Sequence, residues 1–367
     1  MVLIRFGQID KKLIPLVIAC IFCFFDRMLT TYEGTILFKH IIITNIVVAI
    51  SKFFIIIPYI IFILRSRNKH IHSGEIEKVS KSIIESYYIS IQKKINKGKW
   101  LLIFLSSFIF FIQFLIFIYT VSMKTNYWIW DIFFVLILCH FILKILFYKH
   151  HYLSIILILL IGLIIDLAFQ NIQNDIKTDF SMVLLRFLRE ILLSLHVVIN
   201  KYIMDKKNGA VYEICFFNGV INLILLIIFS IFDYYFFKKD NFVEYFDNFN
   251  FIELFVVFGV MITQLGFYFF ALITNKDYTP CHVFIIFVFG QLAFYIDFST
   301  KSTIIFICFI FILFISLIFN EIIELNFFGL SKDVKRNIIH RAAAENLKAF
   351  ENYLIDSNDE DSLGETD

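Results

Sequence analysis

The sharpest chemical signal in this sequence is a lysine where none should be comfortable. Lys52 sits at the centre of IVVAISKFFIIIPYI, too deep in an apolar run for its stem to carry the ammonium to either edge. There it is either a ligand for an anionic group such as a phosphate, or half of a buried pair with an acid such as Glu190 or Asp166. A second concentration of polar groups lies within 181–237, where two apolar runs flank the turn DKKNG. Arg186, Arg189, Glu190, His196 and Asn200 fall roughly along one side of a single helix, and Asn218 and Asn222 stand four apart on the next. The guanidinium forks of Arg186 and Arg189 suit phosphate or carboxylate recognition, although Arg186 and Glu190, also four apart, equally suit an internal ion pair. His196 reads as a proton relay or as a hydrogen-bonded interhelical histidine. Asn200, Asn218 and Asn222, with Gln264 and Gln291, read as ligands or as glue between helices. Asp166 is a candidate proton exchanger or simply a helix-end charge.

The elements that must hold these groups are membrane helices. Of the 367 residues 60% are hydrophobic and only 17% charged, and the apolar residues, 49 of them Phe, form long runs with no alternation. A soluble domain cannot hide that much apolar surface, so the fold class expected is all-α, a polytopic membrane protein. Run length gives about ten transmembrane helices, near 13–31, 40–64, 100–121, 127–148, 152–170, 182–204, 212–237, 251–274, 280–296 and 303–323. The first is the weakest, because Asp26 and Arg27 interrupt it. With both termini cytosolic, Lys and Arg outside the spans favour the cytosolic side by about three to one, which agrees with an even number of crossings.

Two five-span blocks, 1–170 and 171–326, would be inverted relative to each other, an arrangement that places a binding site at the midplane between them. The basic loop 65–99 and the tail 327–367 each carry apolar residues at helical steps among charges, as helices on a membrane face or packed in the cytosol would. The tail ends in an acidic, hydrophobe-poor stretch expected to be disordered. Lys11 and Lys12 before the first run resemble a signal peptide, but no small-residue cleavage site follows, so a retained first span is expected. The six cysteines lie in or beside apolar runs; Cys20 and Cys23 lack the second ligand pair of a zinc site and read as packing residues. No metal and no cofactor are expected. Tyr127, Trp128 and Trp130, and Tyr234 and Tyr235, suit interfacial belts.

Ten spans in two blocks of five resemble the drug/metabolite transporter superfamily, and several strings resemble its nucleotide-sugar-transporter branch. INKYIMDKKNGAVYEICFFNGVINLILLIIF is similar to that branch's sixth and seventh spans, and YTPCHVFIIFVFG to its ninth. The resemblance covers roughly 180–325. It implies a secondary transporter or exchanger of a small anionic metabolite, a nucleotide sugar or phosphorylated compound, working by alternating access around a midplane chamber. It also implies an endomembrane home, Golgi or ER ahead of the plasma membrane. The partners expected are that small-molecule substrate and membrane lipids, with no nucleic acid; a homodimer is left open. The alternatives are a membrane-embedded transferase, against which stands the lack of any HxxxxD or HExxH motif, and a non-transporting receptor or scaffold.

Overall fold

A computed structural model describes residues 4–6, 14–31, 40–60, 97–120, 130–145, 147–170, 180–237, 251–292, 300–319 and 323–325. It is all-helical apart from one short antiparallel pair, β1 (Ile4–Phe6) with β2 (Ile323–Leu325), in which Ile4 faces Leu325. The helices are α1 (Ile14–Thr31), α2 (Ile41–Ser51, then a 3-10 turn Lys52–Ile55 and a helical stretch 56–60), α3 (Lys97–Thr120), α4 (Trp130–Leu138), α5 (Lys149–Gln170), α6 (Phe180–Lys206), α7 (Val211–Phe232), α8 (Phe251–Asp277), α9 (Pro280–Leu292) and α10 (Thr300–Phe319).

Four helical stretches among the described residues are long and apolar enough to cross a membrane: Ile42–Ile60, Gly98–Ile118, Val211–Tyr235 and Phe251–Asp277. They mark the chain as a membrane protein. The helix α6 is as long as α8 but carries Arg186, Arg189, Glu190 and Lys201 along its length.

The surface agrees. On α1 the residues Ile14, Val17, Ile21, Phe25 and Met28, three or four apart, are exposed, and on α8 so are Phe251, Ile252, Phe255, Phe258 and Ile262. Meanwhile Lys52, Arg186, Glu190, His196, Asn200, Asn218 and Asn222 are buried. Apolar outside and ionisable inside is the order that hydrocarbon solvent imposes and water does not.

Local chemistry explains the breaks between helices. Pro58 has no N–H for the Phe54 carbonyl and its ring crowds that carbonyl, so the turn before it tightens to 3-10. The helix α4 ends in a π turn, Cys139–Leu143, and Lys144 then takes left-handed φ of 56°. Asn208, at φ 50°, ends α6, and the Gly209 N–H donates back to the Ile203 carbonyl at 3.0 Å. A Cβ on Gly209 would lie 2.6 Å from Ile203 Cγ2, so the turn needs glycine there.

Packing partners are α1 with α8 and α9, α6 with α3 and α4, α2 with α7 and α8, α3 with α7, and α5 with α10. The charges at Asp26 and Arg27 break the apolar run without ending the helix, and α1 reaches Thr31 as expected for the first span. Asp26 is satisfied from α8: Gln264 Nε2 donates to Oδ2 at 2.6 Å and Thr263 Oγ1 to Oδ1 at 3.3 Å. The amphipathic segments expected in 65–99 (up to residue 96) and in the tail, with the acidic end and the aromatic residues 127 and 128, lie outside the described residues.

Candidate functional site

Lys52 sits where α2 crosses α7 at close range. A Cβ placed on Gly219 would meet Lys52 Cβ at 2.8 Å and the Ala49 carbonyl at 3.1 Å. Glycine at this one position of α7 therefore lets α2 approach until the lysine backbone touches it. Lys52 is 2% exposed. Its Nζ lies 3.9 Å from the Tyr268 ring centroid on α8 and 4.7 Å from that of Phe110 on α3. No carboxylate among the described residues lies within ion-pair distance of it. The buried pair with Glu190 is therefore not formed, and the side chain of Asp166 is outside the described residues. The positive charge is met by two aromatic faces.

Those faces are held by a hydrogen-bonded cluster from four helices. His196 Nδ1 lies 2.9 Å from the Ser106 carbonyl, which can only accept, so Nδ1 carries the ring proton. Ser106 Oγ, also 2.9 Å from Nδ1, donates to Asn200 Oδ1 at 2.8 Å. Asn200 Nδ2 donates to His196 Nε2 at 3.1 Å, and the Tyr268 hydroxyl stands 3.3 Å from the same nitrogen. Asn218 Nδ2 donates to the Tyr268 oxygen at 2.7 Å, and Ser107 Oγ donates to Asn218 Oδ1. With His196 neutral, its Nε2 lone pair is shared by Asn200 Nδ2 and the Tyr268 hydroxyl, and the cluster is a scaffold that aims Tyr268 at Lys52. Of the two readings of His196, the interhelical one describes its geometry. Asn200 and Asn218 act as glue in the same way.

Asn222 differs. Its Nδ2 donates to the Asn218 carbonyl at 2.7 Å, while its Oδ1 is buried without a hydrogen-bond partner. It lines, with Lys52, Asn45, Phe110 and Phe114, a cavity of about 10 Å³, room for about one water. The space beside Lys52 is this small cavity, lined by Phe110, Phe111 and Phe114 of α3, and not the open midplane chamber expected from the sequence.

The remaining expected site residues lie elsewhere. Arg189 donates to Glu190 Oε1, replacing the Arg186–Glu190 pairing expected from helical spacing, and its guanidinium stands 5.5 Å from the Phe117 ring. Arg186 is buried on the same helix, one turn before Glu190. Gln264, one turn before Tyr268 on α8, is committed to Asp26 of α1. The Gln291 side chain is outside the described residues. Sequence reasoning missed Ser106, Ser107, Phe110, Gly219 and Tyr268; the adjacent serines inside an apolar run were the readable signal. It also missed Asp131, which is buried in the first turn of α4 against α6. No group of His, Cys, Asp and Glu among the described residues could hold a metal ion.

Neither protein-family models nor curated proteins give a match to this chain.

Proposed function

We propose that this protein is a secondary carrier of a small anionic metabolite, with Lys52 as the group that meets the substrate's charge. The observation that carries the reading is the lysine itself, a cation in the middle of a bundle, between two aromatic faces, with no acid paired to it among the described residues. Burying such a group costs several kcal/mol and fold stability does not ask for it, so a ligand that completes it is the economical reason for its presence. Asn222 Oδ1, unused at the rim of the same cavity, offers an acceptor for a hydroxyl or amide of that ligand. A nucleotide sugar or phosphorylated compound fits both features, and the sequence resemblance favours it.

Alternating access follows from a five-plus-five architecture. Its support is the packing, in which partners map onto one another when each helix number is shifted by five. The pair α1/α8 becomes α6/α3, α1/α9 becomes α6/α4, and α2/α8 becomes α7/α3, while α2/α7 and α5/α10 map onto themselves. Five spans per block would invert one block relative to the other. The β1–β2 pair brings the residues before α1 and after α10 together, which supports ten crossings and termini on one side. Lysine and arginine placement makes that side cytosolic, and the Golgi or ER is the proposed home. The closed cavity corresponds to a state between openings, and ligand entry requires the α3 phenylalanines to move.

The test is a thermal-shift screen of the purified full-length protein against inorganic phosphate, UMP, UDP-glucose and GDP-mannose. A ligand that binds the folded state raises its melting temperature. One of these anions should raise it in the wild type and not in Lys52→Met; equal shifts in both would remove Lys52 from the site.

A further inference from the structure

About two turns along α6 from His196 lies a second buried site that the Lys52 cluster does not use. Asp131 and Glu190 are 6% and 0% exposed, and their carboxyls come from different helices, α4 and α6, to within hydrogen-bonding reach of each other. Each leaves one oxygen, Asp131 Oδ1 and Glu190 Oε2, buried with no donor. The other Glu190 oxygen is taken by Arg189. Ser194 Oγ donates to the Asp131 backbone carbonyl at 3.3 Å, a bond that leaves the carboxyl Oδ1 unmet. Two facing carboxylates, both acceptors, cannot satisfy each other; one proton between them satisfies both.

We infer that Asp131 and Glu190 form a proton-binding site that couples proton movement to the carrier cycle, an inference whose coupling half rests on the transport reading above. The proton is held as a carboxylic acid donating to the facing carboxylate. On release the O–H bond breaks, its electron pair stays on the carboxylate, and the proton passes to water on whichever side α4 opens. What remains is two carboxylates across the α4–α6 boundary with Arg189 paired to one of them, and the charge left over in an apolar interior favours an arrangement of those helices that hydrates it. The charged groups that face the pair are few. The helix α6 brings Arg189, with Arg186 one turn earlier, while α9 brings Pro280, Val283, Phe284 and Phe287, none of which titrates. Phe117 of α3 backs the arginine. A small cavity of about 10 Å³ beside Asp131, lined also by Ser194, gives one water a place next to the carboxyl.

The experiment has two arms. In the first, infrared spectra of the purified full-length protein are recorded across pH in H2O and D2O. The wild type should show a protonated-carboxyl C=O stretch at neutral pH. That band is lost in Asp131→Asn and in Glu190→Gln, two near-isosteric changes, and kept in Asp26→Asn, whose carboxyl is bonded to Thr263 and Gln264. A band absent from the wild type, or unchanged in both variants, overturns the proton site. In the second arm, proteoliposomes are assayed with labelled UDP-glucose. The wild type should exchange it at equal pH and exchange several-fold faster under a pH gradient; Asp131→Asn should keep the first and lose the second. Wild-type exchange indifferent to the gradient overturns the coupling and leaves the carrier reading standing. No wild-type exchange of any probe in the screen overturns the carrier reading and the coupling with it, and the infrared band still decides the proton site.

Discussion

Replacing Lys52 with methionine separates a lysine kept for a ligand from one kept for the fold. Methionine is unbranched and of similar length, so it fills the same space between α2, α3, α7 and α8 without a charge. A lysine at the centre of a membrane helix costs roughly 2.5–3.5 kcal/mol on insertion scales. Against that, a desolvated cation over an aromatic face returns about 2 kcal/mol, and Tyr268 at 3.9 Å is well placed to do so. Phe110 at 4.7 Å adds a smaller amount, about 0.5 kcal/mol. The charge is thus a net burden of roughly 0–1 kcal/mol, and a methionine sulfur beside the same rings contributes about 0.3–1.5 kcal/mol of its own. The expected outcome is that Lys52→Met unfolds at the same or higher denaturant, by about 1 kcal/mol, in reversible unfolding of the purified protein in mixed micelles. The same variant should lose the ligand-induced rise in melting temperature. Destabilisation by more than about 1 kcal/mol would mean that the ammonium holds the helices together, and the reasoning from an uncompensated charge would fall.

Two further perturbations probe the scaffold around that charge. Gly219→Ala forces a methyl to within 2.8 Å of Lys52 Cβ and 3.1 Å of the Ala49 carbonyl, neither of them the free end of a flexible side chain, so α2 and α7 must separate. Overpacking of this kind costs about 1–3 kcal/mol, read as an earlier unfolding midpoint; an unchanged midpoint would show that the crossing has slack. His196→Ala strips Asn200 and Tyr268 of a shared acceptor and frees the Tyr268 ring to turn. It should cost about 1–3 kcal/mol and weaken anion binding in the same thermal-shift assay, although His196 itself touches no ligand. Binding unchanged by His196→Ala would show that the Tyr268 ring does not need its tether.

How much of this was readable in the sequence depended on whether a residue's partner lay on its own helix. Lys52 is legible because a lone charge in an apolar run is conspicuous whatever surrounds it. What the sequence could not supply was the company Lys52 keeps, since Phe110 and Tyr268 look like any other aromatic residue among so many. Arg186 and Glu190 were paired by helical spacing, yet Arg189 takes the carboxylate, because in a crowded interior an adjacent long side chain can fold back onto its neighbour. Asp26 looked like an interruption and Gln264 like a ligand; each is the other's partner across 238 positions of sequence. Asp131 gave no signal, because its counterpart Glu190 lies on a helix begun 50 residues later and nothing periodic links them. The expected midplane chamber has no counterpart in the small cavity at Lys52, because apolar run length says nothing of how closely Phe110, Phe111 and Phe114 pack there.

The three-residue ribbon joining Ile4–Phe6 to Ile323–Leu325 ties the approach to α1 directly to the exit from α10. A two-strand patch this short resists separation only weakly in isolation, so its contribution is a tether between the two ends of the helical bundle. While it stays zipped, the entry to α1 and the exit from α10 cannot part at that edge. Cross-linking the ribbon would therefore report whether the carrier activity proposed above needs that edge to open.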